Sequence, residues 1–241
     1  MPRCHSQPTF ILLLILFSLL LFFSRFLSSS FPSLSHHQKQ PRISKMAHAP
    51  APVALPTIEF INTEATLQDL SSAVTLLFEP APPIVAHLYS HRPYASFSAL
   101  IDETEVLLSN PDKYLTLQEQ LDVINAHPRI GAAKANLSAL SLIEQGYTPE
   151  DAAKKVDATA TPSADDEETQ RTLKRLNEEY EAKYGFKFVV FVNGRPRNVI
   201  IPVMEERIRN STKEAEMKVA MDDMVAIARD RLKKLNAAAK L

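Results

Sequence analysis

The stretch MKVAMDDMVAIARDRLKKL, residues 217–235, carries the strongest structural signal in this sequence. Apolar side chains return every three or four positions along it, at Met217, Met221, Met224, Val225, Ala228, Leu232 and Leu235. This spacing places them on one face of an α-helix, which repeats about every 3.6 residues. Methionines at such positions are far more often core packing than a ligand-binding surface. We therefore expect a long amphipathic helix that packs against the core.

The same periodicity, followed outward from this helix, predicts helices in most of the preceding domain. Proline, glycine and small polar residues mark their ends. The predicted helices are residues 66–78, 84–90, 96–109, 116–126 and 138–145, and one more with a stripe at Leu173, Leu176, Tyr180 and Tyr184. One β-branched and aromatic segment, Phe186–Val192, breaks the pattern and is followed by Asn193-Gly194. The sequence thus predicts an all-α, single-domain multi-helix bundle with one short extended or hairpin segment near 186–201.

The composition is that of an ordinary globular protein with one sizeable core. The 241 residues are 45% hydrophobic and 23% charged, and the formal net charge is −1. This chain lacks the basic excess with which proteins bind nucleic acid, so we expect no nucleic-acid partner. Cys4 is the only cysteine, which excludes an intrachain disulfide and a cysteine nucleophile or thiolate metal site in the domain.

The two ends of the chain carry conflicting addresses. Residues 10–23, FILLLILFSLLLFF, form an apolar run of signal-peptide length, which indicates the secretory pathway or a membrane anchor. Ala239-Lys240-Leu241 is close to the Ser-Lys-Leu peroxisomal address. Translation from near Met46 would remove the apolar run, and a peroxisomal protein is then expected. The chain divides into an apolar N-terminal extension at 1–45, a flexible lead-in at 46–57 and the domain at 58–241.

Three residues of the domain combine useful chemistry with an unusual local setting. His127 lies between a predicted helix end and a turn at Gly131, because proline disfavours a helical conformation in the residue before it. Histidine gives or takes a proton near neutral pH, although a loop histidine is more often structural. Glu144 precedes Gln145-Gly146 at a helix end, and Arg207 lies in a charged run. Both have the ordinary alternative of a solvated surface position.

His87 and His91 are spaced as two zinc ligands on one helix are, four residues apart. No glutamate lies between them in the zinc-protease pattern, and the sequence suggests no third ligand. We therefore expect no metal at this pair, and we interpret both histidines as surface or hydrogen-bonded core residues.

The motifs, taken in chain order, resemble the 2-oxo-4-hydroxy-4-carboxy-5-ureidoimidazoline (OHCU) decarboxylase family. They are His127-Pro128 with Gly131, Ser141 with Glu144-Gln145, LNEEYEAKYGFKF at residues 176–188, and Arg207 with Asn210. Upstream, Leu77–Pro82 and Arg92-Pro93-Tyr94 are similar to the family's first helix end and its Arg-Pro-aromatic step. The resemblance spans roughly residues 60–235.

The resemblance implies an enzyme, a carbon–carbon lyase that converts OHCU to (S)-allantoin and CO2 in urate breakdown without metal or organic cofactor. His127 would be the catalytic acid/base, Glu144 would orient His127 or the substrate's hydroxyl, and Arg207 would hold anionic substrate groups. The substrate site would be lined by Pro128, Ser141, Gln145, Phe186, Lys187, Phe188, Val189 and Val190. The resemblance also implies a homodimer and a functional partnership with urate oxidase and a separate hydroxyisourate hydrolase.

Two other functions stay open at this point. A non-catalytic helical interaction protein, tethered to a membrane through residues 10–23, would explain the apolar run and make His127, Glu144 and Arg207 incidental. A secreted hydrolase is the second alternative, and the lack of a Gly-x-Ser-x-Gly nucleophile motif counts against it.

Overall fold

Helices build most of the backbone in the computed structural model, which describes residues 54–146 and 164–239. They are α1 (Ile58–Thr63), α2 (Leu67–Phe78), α3 (Pro82–Ser90), α4 (Phe97–Ser109), α5 (Pro111–Tyr114), α6 (Leu117–Asn125), α7 (Ala139–Glu144), α8 (Ala164–Tyr184), α9 (Arg197–Asn210) and α10 (Lys213–Ala238), with a 3₁₀ turn at Lys134–Asn136. Within these ranges no strand forms, so the all-α prediction is confirmed. No helix there is both long and apolar enough to cross a bilayer. The apolar run at 10–23, Met46 and Lys240-Leu241 lie outside the described residues.

The long helix predicted from residues 217–235 is α10, and it packs mainly against α2 and α4. Met221, Met224 and Ala228 are almost completely buried, as the periodicity predicted. Two charged residues, Glu216 and Arg231, are also buried on α10. Charged residues are rare on an apolar helix face, because burial removes their hydration and the cost is offset only when a partner replaces the water. Both charges therefore need partners from other elements.

The starts of the helices follow capping rules that the sequence contains. Thr66 and Thr116 each form a capping box, in which the hydroxyl accepts from the third backbone N–H and the carboxylate at that position accepts from the threonine N–H. Ser138 caps α7 by accepting from the Ser141 N–H at 3.1 Å. These caps place the helix starts within one residue of the predicted ones. Helix α3 begins two residues earlier than predicted, at Pro82, because proline suits the first helical position.

The segment after Gly185 is extended but not part of a hairpin. Residues 186–192 carry no regular structure, whereas residues 197–201, the expected second strand, form the first turns of α9. Side chains form hydrogen bonds with the backbone of this segment, in place of the bonds that a paired strand would have made. The Lys187 N–H donates to Asn125 Oδ1 at 3.0 Å, and the Val189 carbonyl accepts from Arg207 Nη1 at 3.0 Å. The hairpin alternative is therefore wrong, and the extended alternative holds.

Candidate active site

His127 is a buried, neutral histidine at a break between two helices. Helix α6 ends at Asn125, and Pro128 prevents the helix from continuing through His127. The residue is only 4% exposed. Burial, together with the positive charge of Arg231, lowers the pKa of His127 to about 3, although the negative charge of Glu79 opposes this. The imidazole is therefore uncharged at neutral pH.

The turn that follows His127 is fixed by side chains from three other segments. Gln145 Oε1 accepts from the Gly131 N–H at 3.0 Å, and Asn177 Nδ2 donates to the Ile130 carbonyl at 3.0 Å. Lys187 Nζ donates to the His127 carbonyl at 3.2 Å. These bonds hold the backbone from His127 to Gly131, so the turn that carries the imidazole is fixed. The motifs of the sequence thus meet around one residue.

Arg231 is the cation of the site, and it holds two carboxylates at once. Its Nε and Nη2 donate to the two oxygens of Glu144 at 2.7 and 2.8 Å, in a two-pronged geometry. Nη2 also donates to Glu79 Oε1 at 2.8 Å. The Arg231 side chain is 1% exposed, and those of Glu79 and Glu144 are 7% and 17% exposed. This buried cluster joins α10 to α7 and to the end of α2.

Glu79 occupies a backbone conformation that L-residues rarely adopt, with φ 61° and ψ 176° directly after α2. This conformation points to a site where geometry takes precedence over local stability. Oε1 of Glu79 accepts from Ser141 Oγ at 2.7 Å and from Ser138 Oγ at 3.1 Å. Burial raises the pKa of Glu79, but the charge of Arg231 and the Ser141 hydrogen bond outweigh it, so that the pKa lies below its ordinary value. Glu79 is therefore ionised.

A cavity of about 90 Å³ lies between these elements. One water needs roughly 10–15 Å³ on the same measure, so the cavity has room for a small organic molecule. Its lining consists of His127, Pro128, Ile130, Ser141, Ile143, Glu144, Gln145, the stretch 188–194, Ile227, Asp230, Arg231 and Lys234. Two buried polar atoms on the lining have no hydrogen-bond partner, His127 Nε2 and Arg231 Nη1. A bound polar molecule in the cavity would be close to both residues.

Eight of the eleven predicted site residues contribute to this lining, and three do not. Those on the lining are His127, Glu144, Pro128, Ser141, Gln145, Phe188, Val189 and Val190. Phe186 instead packs in the core, with its ring edge-on to Tyr180 at 5.9 Å between centroids. Lys187 is turned towards the backbone of Asn125 and His127, where it supports the turn.

The structure does not bring Arg207 to the cavity. Its Nε donates to Glu216 Oε2 at 2.7 Å, and its guanidinium lies over the Phe188 ring at 4.5 Å from the centroid. Asp223 Oδ2 lies 3.7 Å from Nη1. Arg207 is therefore the partner that the buried Glu216 requires, and it contacts the cavity lining from outside, through the Phe188 ring and the Val189 carbonyl. The arginine on the cavity lining is Arg231 and not Arg207.

Arg231 and Glu79 were missed by the sequence interpretation, although Arg231 left a signal. It stands three residues after Ala228 and seven after Met224, on the apolar stripe of α10. An arginine on a buried stripe indicates a buried ion pair, because its charge must be compensated there. Glu79 left no comparable signal, since a glutamate at a helix end is ordinarily solvated.

A buried neutral imidazole can move a proton, and a fixed guanidinium can hold an anionic group, so one small cavity brings together groups suited to acid–base chemistry on a small molecule. Known proteins narrow this chemistry. The sequence profile of the OHCU decarboxylase family matches residues 63–233. The 2-oxo-4-hydroxy-4-carboxy-5-ureidoimidazoline decarboxylase of Halalkalicoccus jeotgali is 28% identical over 179 residues, which are 74% of this chain and 91% of that protein.

Two further proteins are similar over a shorter span or at lower identity. The uric acid degradation bifunctional protein of a Bacillus species (strain TB-90) is 28% identical over 160 residues, 66% of this chain and 28% of that protein. A crystal structure of an OHCU decarboxylase in the presence of (S)-allantoin matches 64% of this chain and 91% of its own, with 21% identity and a TM-score of 0.46. The chain belongs to the OHCU decarboxylase family, and it is a carboxy-lyase.

Proposed function

We propose that this protein converts OHCU to (S)-allantoin and CO2 during urate breakdown, with His127 as the group that moves a proton. The observation that carries the proposal is the pair of unpartnered buried atoms, His127 Nε2 and Arg231 Nη1, on the lining of one cavity. Buried polar atoms are nearly always hydrogen-bonded, so two of them on one cavity indicate a polar ligand that completes both. Membership of the family supports OHCU as that ligand.

The reaction follows from the structure of the substrate. Its carboxylate and hydroxyl share one ring carbon, beside the carbon that bears the ureido group and the ring C=N bond. When the carbon–carboxylate bond breaks, its electron pair forms a ring C=C bond, and the ring nitrogen takes a proton from solvent. The hydroxyl proton must then leave oxygen while a proton arrives at the ureido carbon. One proton is consumed for each CO2 released.

His127 suits the transfer from oxygen to carbon. Its imidazole is neutral at neutral pH, so it can accept the hydroxyl proton and return it to the ureido carbon. A pKa near 3 makes a weak base, but the negative charge of a bound substrate carboxylate raises the pKa of a neighbouring imidazole. Because the turn around His127 is fixed, the proton reaches only one face of the planar intermediate. Delivery to one face is what produces a single enantiomer.

Arg231 and Glu144 would hold the substrate in register with His127. Arg231 has committed its Nε and Nη2 to carboxylates, so its free Nη1 is a donor with a fixed direction. A preorganised donor of this kind stabilises an oxygen on which negative charge develops. Both oxygens of Glu144 bind Arg231, so we assign Glu144 to the substrate's hydroxyl or ureido N–H groups rather than to His127.

The remaining parts of the proposal concern pathway, assembly and location. The Bacillus relative is named for uric acid degradation, which supports a place in that route beside urate oxidase and a separate hydroxyisourate hydrolase. A homodimer is proposed from the family resemblance, and light scattering on the purified protein measures it directly. A peroxisomal location is proposed from Ala239-Lys240-Leu241, and imaging with and without this tripeptide tests it.

The experiment generates OHCU in situ from urate with urate oxidase and hydroxyisourate hydrolase, adds the full-length protein, and follows allantoin by circular dichroism. Because OHCU also decays without an enzyme, the readout is the rate and the enantiomer together. We expect rapid accumulation of (S)-allantoin with the wild type. His127→Ala should lose about 10²–10⁴-fold in catalysed rate, the usual contribution of a positioned acid–base group.

His91→Ala is the matched control, because it removes a histidine that does not line the cavity. It should keep the wild-type rate and enantiomer. An unchanged rate in His127→Ala would refute the role of His127 while leaving the activity intact. Racemic allantoin at the uncatalysed rate with the wild type would reject the proposed reaction and favour a non-catalytic interaction protein.

A further inference from the structure

Helices α3 and α4 bring together a second group of chemically active side chains, His87, His91 and Glu103. One ligand atom from each of the three lies within 4.8 Å of the others. The two imidazole rings are stacked, with centroids 4.0 Å apart, and His87 Nε2 lies 2.8 Å from Glu103 Oε1. We call these three residues the α3–α4 histidine cluster. None of them lines the cavity of the candidate active site.

We propose that the α3–α4 histidine cluster is a binding site for a divalent first-row transition metal ion, of which Zn²⁺ is the best-suited example. Two imidazoles four residues apart are a common pair of zinc ligands, here His87 on α3 and His91 at its C-cap, and a carboxylate is a common third. The sequence lacked the third ligand because Glu103 is twelve residues beyond His91, on the next helix. Folding supplies it.

The hydrogen bonds of His91 leave the correct atom free for a metal. Its Nδ1 lies 2.8 Å from the His87 carbonyl, and a carbonyl can only accept, so Nδ1 carries the proton of the neutral ring. The lone pair is then on Nε2. Metal-binding histidines in proteins characteristically donate their other ring N–H to a carbonyl or carboxylate, which fixes the ring for coordination.

His87 and Glu103 need one rearrangement each. The His87 Nε2–H donates a hydrogen bond to Glu103 Oε1, so metal binding requires the other tautomer, with the proton on Nδ1 and the Nε2 lone pair towards the metal. Neighbouring ligand atoms in a tetrahedral zinc site lie roughly 3.3 Å apart, since each metal–ligand bond is about 2.0–2.1 Å. The Glu103 side chain is 31% exposed, so it has room to rotate towards the two imidazoles while His91 keeps its bond to the His87 carbonyl.

The site would leave one coordination position to water, because the exposed side of His91 faces solvent. Three protein ligands and an open position give a weaker site than a four-ligand structural centre, but still a specific one. The ion would join the end of α3 to the first half of α4. Because an ion that binds only the folded protein stabilises it by mass action, zinc should raise the unfolding temperature.

The test is zinc binding to the full-length protein after treatment with EDTA and desalting. Isothermal titration with ZnCl2 should give one more ion per chain for the wild type than for His91→Ala. Co²⁺ in place of zinc should give the visible absorption of a tetrahedral site in the wild type but not in His91→Ala. Glu103→Gln should weaken binding about tenfold or more, since even loss of an outer partner of a metal ligand weakens binding by 10–100-fold.

The control addresses the other histidines of the chain. His36 and His37 are adjacent and could bind zinc themselves, so the variant His36→Ala/His37→Ala should retain the extra ion and the cobalt spectrum. Wild-type decarboxylase activity in His91→Ala and Glu103→Gln, measured without zinc, shows that both variants are folded. Equal stoichiometry, affinity and zinc-dependent rise in unfolding temperature in the wild type and both variants would overturn the proposal.

Discussion

Replacement of Arg231 by methionine should destabilise the fold severely. Methionine preserves the apolar stem of the side chain but removes the guanidinium, which leaves Glu79 and Glu144 as buried carboxylates without a cation. Removing one partner of a buried ion pair costs about 3–5 kcal/mol, mainly because the remaining charge stays desolvated. For a domain of this size each kcal/mol shifts the unfolding temperature by about 2–4 °C. We therefore expect a fall of about 6–20 °C in Arg231→Met.

Arg229 on the same helix provides a matched control. It also binds two carboxylates, Asp102 at 2.8 Å and Glu105 at 2.7 Å, but its side chain is 37% exposed and theirs are more than half exposed. Exposed ion pairs contribute about 0–1 kcal/mol to stability, so Arg229→Met should lower the free energy of unfolding by no more than that. Urea unfolding followed by circular dichroism measures both variants.

A second variant separates lost charge compensation from lost packing. Adding Glu79→Gln to Arg231→Met removes one of the two unpaired carboxylates, so the double variant should be more stable than Arg231→Met alone. Equal losses in Arg231→Met and Arg229→Met, or a double variant less stable than the single one, would refute the argument from buried charge.

Three further predictions concern protonation, backbone conformation and the role of Arg207. The pKa of His127 is about 3 in the folded protein and about 6.5 in the unfolded chain. The contribution of His127 to the free energy of unfolding is therefore fully present above about pH 6.5 and is lost as the pH falls, because the unfolded chain takes up a proton first. His127→Gln should flatten the pH dependence of unfolding free energy by about 1.4 kcal/mol per pH unit between roughly pH 6 and 4, and equal slopes would contradict this. Gly131→Ala should lower the free energy of unfolding by about 1–3 kcal/mol, and by more than Gly146→Ala does. The angle φ is positive at both glycines, but only at Gly131 would the new Cβ lie 3.0 Å from a leucine side chain. Thermal unfolding of the two variants measures the difference. Arg207→Lys should lower the free energy of unfolding by about 1.5–3 kcal/mol, because lysine cannot reproduce the guanidinium's hydrogen bond to Glu216. A kinetic defect at unchanged stability would instead indicate that Arg207 contacts the substrate.

The candidate site shows where inference from sequence succeeds and where it stops. The His127 turn and the lining residues Ser141, Glu144 and Gln145 could be predicted because each lies in a short motif at a helix end. Arg207 was expected at the cavity because the family resemblance implied that it holds anionic substrate groups. Its placement instead depends on Glu216, a buried carboxylate whose burial no local pattern shows.

By itself, the sequence determined the all-helical class, most of the helix ends and the position of His127 at a break between helices. These features follow from periodicity, capping and proline geometry, which act between residues only a few positions apart. The tertiary structure alone decided which charges meet: Arg231 binds Glu144 across 87 positions and Glu79 across 152. It also set the protonation state of His127, because burial and the field of Arg231 exist only once α10 has packed beside the turn.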